Sequence, residues 1–377
     1  MKILLIFLAT LINFFTILFA EEVMSNNEQA RQLLDDLSTT NGPGVQYVIV
    51  NKNSVVFSHS SGFADIKNKI PLSLDHTMAA FSMTKTLTAI AILQLVERGK
   101  IKLDSQVSQY MTHPYHSDIT IKQLLSHTSG IPNPNPLSWY HIESDHHDFD
   151  EKAALSQVLL DNPKLDAMPG EEYGYSNIGY WLLGHVIEKA SGENYDIYMN
   201  KNIFKPLDLT QNEIGFQISH KGKHAKGYLK KYSFMNLFKY FVLGEEIWED
   251  YEGSWLHINN VILNGPAFGG VMGSANAFSR ILQNLLSENS ILLGKKVKHY
   301  LYTQQKTQSG ENIDMTLGWH IEELNGVRYY YKEGGGAGFR SEMRLYPDLG
   351  LGSVMMTNRT SLNTSKLLSQ LDSGFIN

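Results

Sequence analysis

Hydrophobic and polar residues alternate in short runs at both ends of the chain. The runs at 45–51 ("VQYVIVN") and 54–60 ("SVVFSHS") flank a short polar turn and predict a β-hairpin. Four more strand-like runs lie near the other end, separated by Asn-Gly, a glycine cluster and Pro-Asp, at 317–323, 327–333, 340–346 and 352–358. Strands at both ends with helices between them predict one antiparallel sheet built from both ends of the chain.

Helical patterns dominate the sequence between these two groups of strands. We therefore expect an α/β fold of the α+β type, in which helices flank the antiparallel sheet and an all-helical lobe is inserted. The expected α/β lobe comprises 21–85 and 266–377, and the expected helical lobe comprises 86–265. The helical lobe includes an insertion rich in lysine and aromatic residues at about 221–252.

The first residues form a separate apolar segment. One lysine, a long apolar run and Ala20 before two glutamates are typical of a secretory signal peptide over 1–20, cleaved after Ala20. The length of the run also fits an uncleaved membrane anchor. We expect an exported protein, periplasmic or secreted, with anchoring by an uncleaved leader as the alternative.

Composition narrows the classes of function. With 42% hydrophobic and 19% charged residues among 377, the chain is composed like a globular protein with a large core. A formal net charge of −6 gives no basic surface for nucleic acid, so nucleic-acid binding is not expected. The chain has no cysteine, which excludes disulfides, thiolate nucleophiles and cysteine ligands for zinc.

Ser82 and Lys85 stand together at the start of an apolar run that predicts a buried helix ending near Gly99. Positions i and i+3 share one face of a helix, so the lysine is expected beside the serine hydroxyl. Desolvation lowers the pKa of a lysine, which can then accept the proton of a serine nucleophile. The alternative is a serine that caps the helix and a lysine that extends to solvent.

A second group of polar residues precedes the next amphipathic helix. Tyr175 and Asn177 lie in a loop rich in proline and glycine, immediately before a run with apolar residues at the helical period. A tyrosine facing a cleft can transfer a proton, and an asparagine can hold a substrate carbonyl. The alternative is a turn with a packed aromatic ring.

A third group ends a strand rich in tyrosine. Lys332 and Glu333 precede three consecutive glycines at 334–336, which allow a substrate backbone to approach the strand edge. The alternative is a solvated lysine and a flexible turn.

These motifs, Ser-x-x-Lys at 82–85, Tyr-x-Asn at 175–177 and Lys-x-Gly at 332–334, resemble those of the penicillin-recognising serine hydrolases. The tyrosine of the second motif is closest to the class C β-lactamases and their DD-peptidase and esterase relatives. The resemblance continues through "LVERGKIKLD" and "ITIKQLLSHTSGIP" and covers about 43–360. It implies a β-lactamase/transpeptidase-like fold and a hydrolase that needs no metal or organic cofactor.

The resemblance also implies roles for the matched catalytic residues. Ser82 is the nucleophile, Lys85 its proton acceptor and Tyr175 the proton donor to the leaving group. The base is either Lys85 or Tyr175, or the two act as a coupled pair. Lys332 keeps Tyr175 or the substrate in the required charge state. The N–H groups of Ser82 and Gly335 form the oxyanion hole.

The implied substrate-binding residues are Asn177, Glu333, Gly334 and Gly335. Glu333 departs from the family pattern, because this position is commonly a threonine or serine that binds a substrate carboxylate. A glutamate facing the cleft would oppose an anionic β-lactam or D-alanine terminus, whereas the alternation of strand side chains also allows it to point away. Esterase or peptidase activity is therefore expected as readily as β-lactam hydrolysis.

Four other segments bear on function. Histidines at 113–118 and 145–150 lie near carboxylates but lack zinc-binding spacing, so no metal site is expected. The "HTSG" run at 127–130 is expected to stabilise the helical lobe.

Lysines alternate with aromatics at 221–244, which fits contact with anionic lipid or a cover over the active-site mouth. We favour an inserted helix there that packs its apolar residues on the lobe, namely Phe234, Leu237, Phe238 and Phe241.

We therefore expect an exported serine hydrolase that forms an acyl-enzyme on Ser82. Its substrate would be a small-molecule or peptide amide or ester, such as a β-lactam, a D-Ala-D-Ala peptide or a carboxylic ester. The rival is a non-hydrolytic sensor or scaffold that binds cell-wall fragments, and a metallohydrolase is a third alternative. A scaffold has no physical need for Ser82, Lys85, Tyr175 and Lys332 together.

Overall fold

The structure is a computed structural model that describes residues 25–38, 41–237, 239 and 244–376. The signal peptide predicted at 1–20 lies outside these residues. Across the described ranges, no helix combines the length and the apolar character that a membrane span requires.

The described residues form strands of very different length, of which the longest lie at the two ends of the chain. In chain order the strands are β1 (Val45–Asn51), β2 (Val55–Ser61), β3 (Phe63–Asp65), β4 (Ile70–Pro71), β5 (Met78–Ala79), β6 (Tyr140–Ile142), β7 (Ile214–Gly215), β8 (Gly227–Lys230), β9 (Trp248–Glu252), β10 (Trp255–Ile258), β11 (Val261–Leu263), β12 (Met272–Gly273), β13 (His320–Leu324), β14 (Val327–Gly336), β15 (Phe339–Tyr346) and β16 (Leu351–Thr357).

Most helices lie between the two groups of long strands. In chain order the α-helices are α1 (Asn26–Asp36), α2 (Thr84–Glu97), α3 (Ile121–Leu125), α4 (Glu151–Asp161), α5 (Asn177–Ser191), α6 (Tyr195–Met199), α7 (Phe234–Leu237), α8 (Pro266–Gly269), α9 (Ala275–Leu286), α10 (Lys295–Lys298) and α11 (Thr364–Ile376).

One antiparallel sheet joins the two ends of the chain, as expected. Its strand order is β13-β14-β15-β16-β1-β2, and β1 pairs with β16 from Val45 opposite Thr357 to Asn51 opposite Leu351. The chain ends meet at this pair because β1 and β16 both carry continuous apolar runs that are buried on both faces. The sequence-based fold class is therefore confirmed in this respect.

Helices cover both faces of the large sheet. On one face, α1 and α11 bury a small core that includes Leu34, Tyr47 and Leu368. On the other face, α9 packs against β1 and β16, and the main hydrophobic core continues from there into the inserted lobe. The amphipathic pattern of α9 explains its position, since Phe278, Ile281 and Leu285 are all buried.

The helix that begins with the Ser-x-x-Lys motif lies at the centre of the molecule. Ser82 belongs to a 3₁₀ turn at Phe81–Met83, and α2 continues it from Thr84 to Glu97. Every residue from Thr84 to Leu95 is buried, so the helix is surrounded by protein on all sides. This burial accounts for the absence of an apolar stripe in its sequence, because each face contacts other apolar side chains.

The inserted lobe differs from the expectation of a lobe made of helices alone. It contains the small sheets β8-β10-β9 and β11-β6 in addition to its helices. The reason for the first sheet is local, because β10 is rich in apolar residues, β9 contains two aromatic residues, and the two strands meet at a turn in which Gly253 has a φ of 66°. Leu229, Ile247, Leu256 and Ile258 form a separate hydrophobic core there.

The helix expected to pack four apolar residues on the lobe does not do so at Leu237. The described part of the segment forms only the one-turn helix α7, and the side chain of Leu237 at its end is 74% exposed. Tyr232, just before α7, is 84% exposed. Phe238 and Phe241 lie outside the described residues.

Candidate active site

Ser82 lies where β14 passes closest to the N-terminal turn of α2. Phe81, the residue before it, has a φ of 45°, in the left-handed region that residues other than glycine rarely adopt. A Cβ atom at Gly334 would collide with the Ala80 carbonyl oxygen, and one at Gly336 would lie 2.9 Å from the Phe81 ring. Glycine is therefore required at 334 and 336 for the strand to lie against the serine turn.

Lys85 is completely buried and contacts three oxygen atoms. Its Nζ lies 3.1 Å from Ser82 Oγ, 2.7 Å from Asn177 Oδ1 and 2.7 Å from the Phe268 carbonyl oxygen. Burial lowers the pKa of Lys85 well below its ordinary value, and the positive charge of Lys332 lowers it further. The site therefore favours a neutral amine beside the serine hydroxyl.

Tyr175 contacts the same serine from the other side. Its hydroxyl donates a hydrogen bond to Ser82 Oγ over 2.8 Å. Burial raises the pKa of Tyr175 above its ordinary value, although the bond to Ser82 acts in the opposite direction. The phenol is therefore protonated at neutral pH, and Ser82 Oγ lies between a protonated phenol and a desolvated amine.

His127 holds the loop that carries Tyr175. The backbone N–H groups of Gly174 and Ser176 donate to the His127 carbonyl oxygen (2.8 Å) and to its Nδ1 (3.1 Å), and the His127 ring lies 4.4 Å from the Tyr175 ring between centroids. Burial lowers the pKa of His127 well below its ordinary value, so the imidazole is neutral and its Nδ1 is free to accept. The "HTSG" run thus fixes the position of the tyrosine as well as contributing to the lobe.

Asn177 is the first residue of α5 rather than part of the preceding loop. Ser176 caps this helix by accepting a hydrogen bond from the Gly179 N–H, and the Asn177 N–H donates to Asn133 Oδ1 over 3.0 Å. These bonds fix the start of the helix, so that the Asn177 side chain reaches Lys85. The two ends of the Tyr-x-Asn motif therefore contact different partners, Ser82 and Lys85.

Lys332 lies in β14 with its side chain pointing toward the tyrosine. Its Nζ is 4.9 Å from the centroid of the Tyr175 ring, and it has no hydrogen-bond partner among the described residues. Burial lowers the pKa of Lys332 to about 7, and the nearby charge of Glu333 opposes this shift. A buried amine without a partner, aimed at the cavity, is available to contact a bound substrate.

Glu333 lies on the opposite face of the sheet from Lys332. In the register of β14 and β15 it pairs with Glu342, whose carboxylate is buried beside Arg344 under α11. The side chain of Lys332, one residue earlier, points to the face that carries Ser82, because strand side chains alternate. Glu333 is nevertheless exposed and belongs to the lining of the cavity that contains Tyr175 and Lys332, so its negative charge borders the site.

The edge of β14 beside Ser82 is open. Its neighbour β13 pairs with it only as far as Tyr331, opposite His320, so the stretch 332–336 has no strand partner on that side among the described residues. Gly335 is exposed on this stretch and lines the same cavities as Ser82. This position allows the N–H groups of Ser82 and Gly335 to face one substrate oxygen, as the resemblance implies.

Two contributors to the site were not anticipated from the sequence. Phe268 supplies a main-chain carbonyl to Lys85, and a carbonyl leaves no side-chain signal in a sequence. His320 lines the cavity with Tyr175 and Lys332, and its Nε2 lies 3.4 Å from the Tyr173 hydroxyl. Burial lowers the pKa of His320 to about 2, so it is neutral. A prediction of the exact strand register would have placed His320 opposite Tyr331, and so close to the site.

Comparison with known proteins gives one family for this chain. The family model described as β-lactamase matches residues 30–369. The chain belongs to the β-lactamase family. This membership supports a serine hydrolase that acts on amides or esters, in agreement with the resemblance of the three motifs.

Curated relatives agree with the β-lactamase family assignment. The chain is 27% identical over 313 residues to penicillin-binding protein 4* of Bacillus subtilis (strain 168). This alignment covers 81% of this chain and 66% of that protein. It is 33% identical over 202 residues to protein flp of Staphylococcus aureus (strain NCTC 8325 / PS 47), covering 51% of this chain and 39% of that protein. The chain thus spans less than two thirds of the length of either relative.

Solved structures show the same fold. A penicillin-binding protein homologue from Pyrococcus abyssi, described as octameric, has a TM-score of 0.73 at 22% identity, covering 89% of this chain and 73% of that one. A D-amino acid amidase from Ochrobactrum anthropi SV3 has a TM-score of 0.75 at 18% identity, covering 93% of this chain and 99% of that one. At these identities the likeness shows a shared β-lactamase/transpeptidase-type fold alone.

Proposed function

We propose that this member of the β-lactamase family is an exported serine hydrolase that forms an acyl-enzyme on Ser82. The observation that carries the proposal is the position of Ser82 Oγ, 3.1 Å from Lys85 Nζ and 2.8 Å from the Tyr175 hydroxyl. The site lies where the α/β lobe (21–85 and 266–377) would meet the inserted lobe (86–265), with Lys332 contributed by the large sheet.

Lys85 is the base in this proposal. A neutral amine has two N–H bonds and one lone pair, whereas an ammonium has three N–H bonds and no acceptor. Two of the three oxygen atoms around Nζ are carbonyl oxygens at 2.7 Å, which can only accept. The neutral amine gives its two N–H bonds to Asn177 and Phe268, and its lone pair accepts the proton of the Ser82 hydroxyl at 3.1 Å.

Acylation follows from this arrangement. Ser82 Oγ gives its proton to Lys85 and bonds to the substrate carbonyl carbon, while the N–H groups of Ser82 and Gly335 stabilise the oxyanion. The bond from that carbon to the leaving nitrogen or oxygen then breaks. The leaving atom takes a proton from the Tyr175 hydroxyl, and the proton held by Lys85 restores the phenol.

Deacylation repeats these steps with water. The water gives one proton to Lys85, and its oxygen bonds to the acyl carbon. The bond between that carbon and Ser82 Oγ then breaks, and the proton on Lys85 returns to Ser82. Tyr175 acts as an acid during acylation and stays protonated during deacylation, because burial raises its pKa.

A substrate panel tests the proposal. Wild-type protein and Ser82→Ala are compared on p-nitrophenyl acetate, a D-alanine anilide and benzylpenicillin, with product release followed over time. We expect turnover of at least one ester or amide that is lost in Ser82→Ala. Equal turnover by the two proteins contradicts the proposal. A penicillin adduct that persists without turnover would instead favour the sensor.

Export is tested separately. The leader predicted at 1–20 implies a mature protein that begins at Glu21. We expect the full chain, expressed in a bacterium, to be recovered outside the cytoplasm with a mass that corresponds to this start. A protein of full-length mass in the membrane fraction would identify an uncleaved anchor.

A further inference from the structure

An apolar cavity lies directly beside Ser82. Its volume is about 190 Å³. The apolar side chains that line it are those of Leu137, Tyr140, Ile247, Val261, Leu263 and Phe268. Asn177 and Ser82 are its main polar members, and none of the described residues that line it carries a charged side chain.

One residue of the insertion at about 221–252, Ile247, belongs to this wall. Ile247 belongs to the small core under the sheet β8-β10-β9, and Tyr140 and Val261 pack against that core. Strand β6 pairs with β11, placing Tyr140 opposite Leu263. The Tyr140 hydroxyl accepts from the Gly244 N–H, so its ring remains as the wall of the cavity. Ile247 thus connects the insertion to a space that opens at the nucleophile.

A second cavity also borders Ser82, and we call it the polar cavity because charged side chains line it. Its volume is about 520 Å³, and its lining includes Tyr175, His320, Lys332 and Arg340. Tyr175 lines this polar cavity, whereas Asn177 lines the apolar one. Ser82 and Gly335 border both cavities, so a substrate carbonyl held by their N–H groups has one substituent on each side.

The position of Tyr175 decides which part of the substrate enters which cavity. A leaving group must reach the Tyr175 hydroxyl to receive its proton, so it occupies the polar cavity. The acyl group then occupies the apolar cavity beside Asn177. An engineered cavity of about 150 Å³ lined by leucine, isoleucine and phenylalanine binds benzene, so a space slightly larger than that fits a phenyl ring or a branched alkyl group.

We infer that the hydrolase selects acyl groups with one neutral, apolar substituent of about the size of a phenyl ring, held against the apolar wall that includes Ile247, Val261 and Leu263. This inference rests on the proposed acylation of Ser82 and names the acyl class for it. A longer chain exceeds the volume of the cavity, and a charged substituent would lack a charged partner among the residues that line it. Each methylene that the cavity removes from water is expected to raise kcat/KM about fourfold until the space is full.

A series of p-nitrophenyl esters tests the inference. Acetate, butyrate, phenylacetate, 4-carboxyphenylacetate and decanoate share one leaving group, so differences in kcat/KM report the acyl side. We expect phenylacetate to exceed acetate by at least tenfold and to exceed both the charged ester and decanoate.

The variant Val261→Phe fills the cavity and should lower the ratio of phenylacetate to acetate by about tenfold. Leu263→Ala enlarges it and should raise the ratio of decanoate to phenylacetate.

Matched controls use apolar residues far from the site. Leu160 is 73% exposed and Val55 is 51% exposed, so Leu160→Ala and Val55→Phe repeat the two changes without touching a cavity wall. Both controls should keep the wild-type ratios. Ester hydrolysis that depends on Ser82 but shows no preference among the esters contradicts this inference and leaves the proposed function intact. The same holds if neither cavity variant changes the ratios of kcat/KM. Hydrolysis that persists in Ser82→Ala contradicts the proposed function itself.

Discussion

The Lys85 Nζ lies 2.7 Å from Asn177 Oδ1, although 92 positions separate the two residues in the chain. This contact joins the first motif to the second and orients the amine toward Ser82. It gives the neutral lysine one of its two acceptors and leaves its lone pair for the serine proton. The contact is thus the structural basis for assigning the base to Lys85 rather than to Tyr175.

Removal of the Lys85 amine should abolish acylation without unfolding the protein. Lys85→Met keeps a side chain of similar length but cannot accept a proton, so we expect kcat/KM on the preferred ester to fall by about 10²–10⁴-fold. Steady-state kinetics measure the loss, and circular dichroism checks the fold. The control Lys230→Met changes an exposed lysine of β8 and should keep wild-type kinetics. Kinetics of Lys85→Met within twofold of wild type would show that another group is the base.

The dependence of kcat/KM on pH should show an acidic limb. A protonated Lys85 cannot accept the Ser82 proton, so the rate rises with pH as the amine loses its proton. Burial lowers the pKa of Lys85, so the rise in kcat/KM lies well below pH 10.5. Burial raises the pKa of Tyr175, so deprotonation of its phenol is not expected to lower kcat/KM at neutral pH. A neutral ester, corrected for spontaneous hydrolysis, gives the profile. A rate that falls from pH 5 to pH 8 contradicts this order of protonation.

The charge of Lys332 should influence the pH at which kcat/KM rises. Its positive charge lowers the pKa of Lys85, so Lys332→Met should move the acidic limb to higher pH whatever it does to the maximal rate. The same pH series on this variant measures the shift. A limb that stays at the wild-type pH would show that the charge of Lys332 does not reach Lys85.

Tyr175 should matter most for poor leaving groups. An amide nitrogen needs a proton before it leaves, whereas p-nitrophenolate leaves without one. Tyr175→Phe should therefore reduce kcat/KM on an amide at least tenfold more than on the p-nitrophenyl ester of the same acyl group. Tyr173→Phe, which removes a nearby hydroxyl that does not contact Ser82, should show equal effects on both. Equal losses on amide and ester in Tyr175→Phe would assign the tyrosine a positioning role.

Much of the large sheet was predictable from the sequence. The range of β1 agrees at both ends with the predicted 45–51, because its apolar run is bounded by turn residues. The strand predicted from 317 begins only at His320, since Gly318 has a φ of 96° that interrupts the extended backbone. β14 continues three residues further than predicted, to Gly336, because glycines can remain extended where the strand passes the serine turn.

The candidate site was predictable where side chains form motifs and not where the fold supplies the group. Ser82, Lys85 and Tyr175 could be identified because their spacing and order match a known pattern. The carbonyl of Phe268 and the face of the sheet occupied by Glu333 depend on tertiary packing and strand register, which no motif records. The apolar wall includes Ile247 from a short 3₁₀ turn and Val261 from β11, in a lobe that was expected to be entirely helical.

The most direct test of the central claim is intact-protein mass spectrometry with a fluorophosphonate, which modifies an activated serine. Wild type should gain one adduct, and Ser82→Ala should gain none under the same conditions. Ser108→Ala, an exposed serine remote from the cavity, is the matched control and should be labelled like wild type. The absence of an adduct on wild type, or an adduct that persists in Ser82→Ala, would contradict the assignment of Ser82 as the nucleophile.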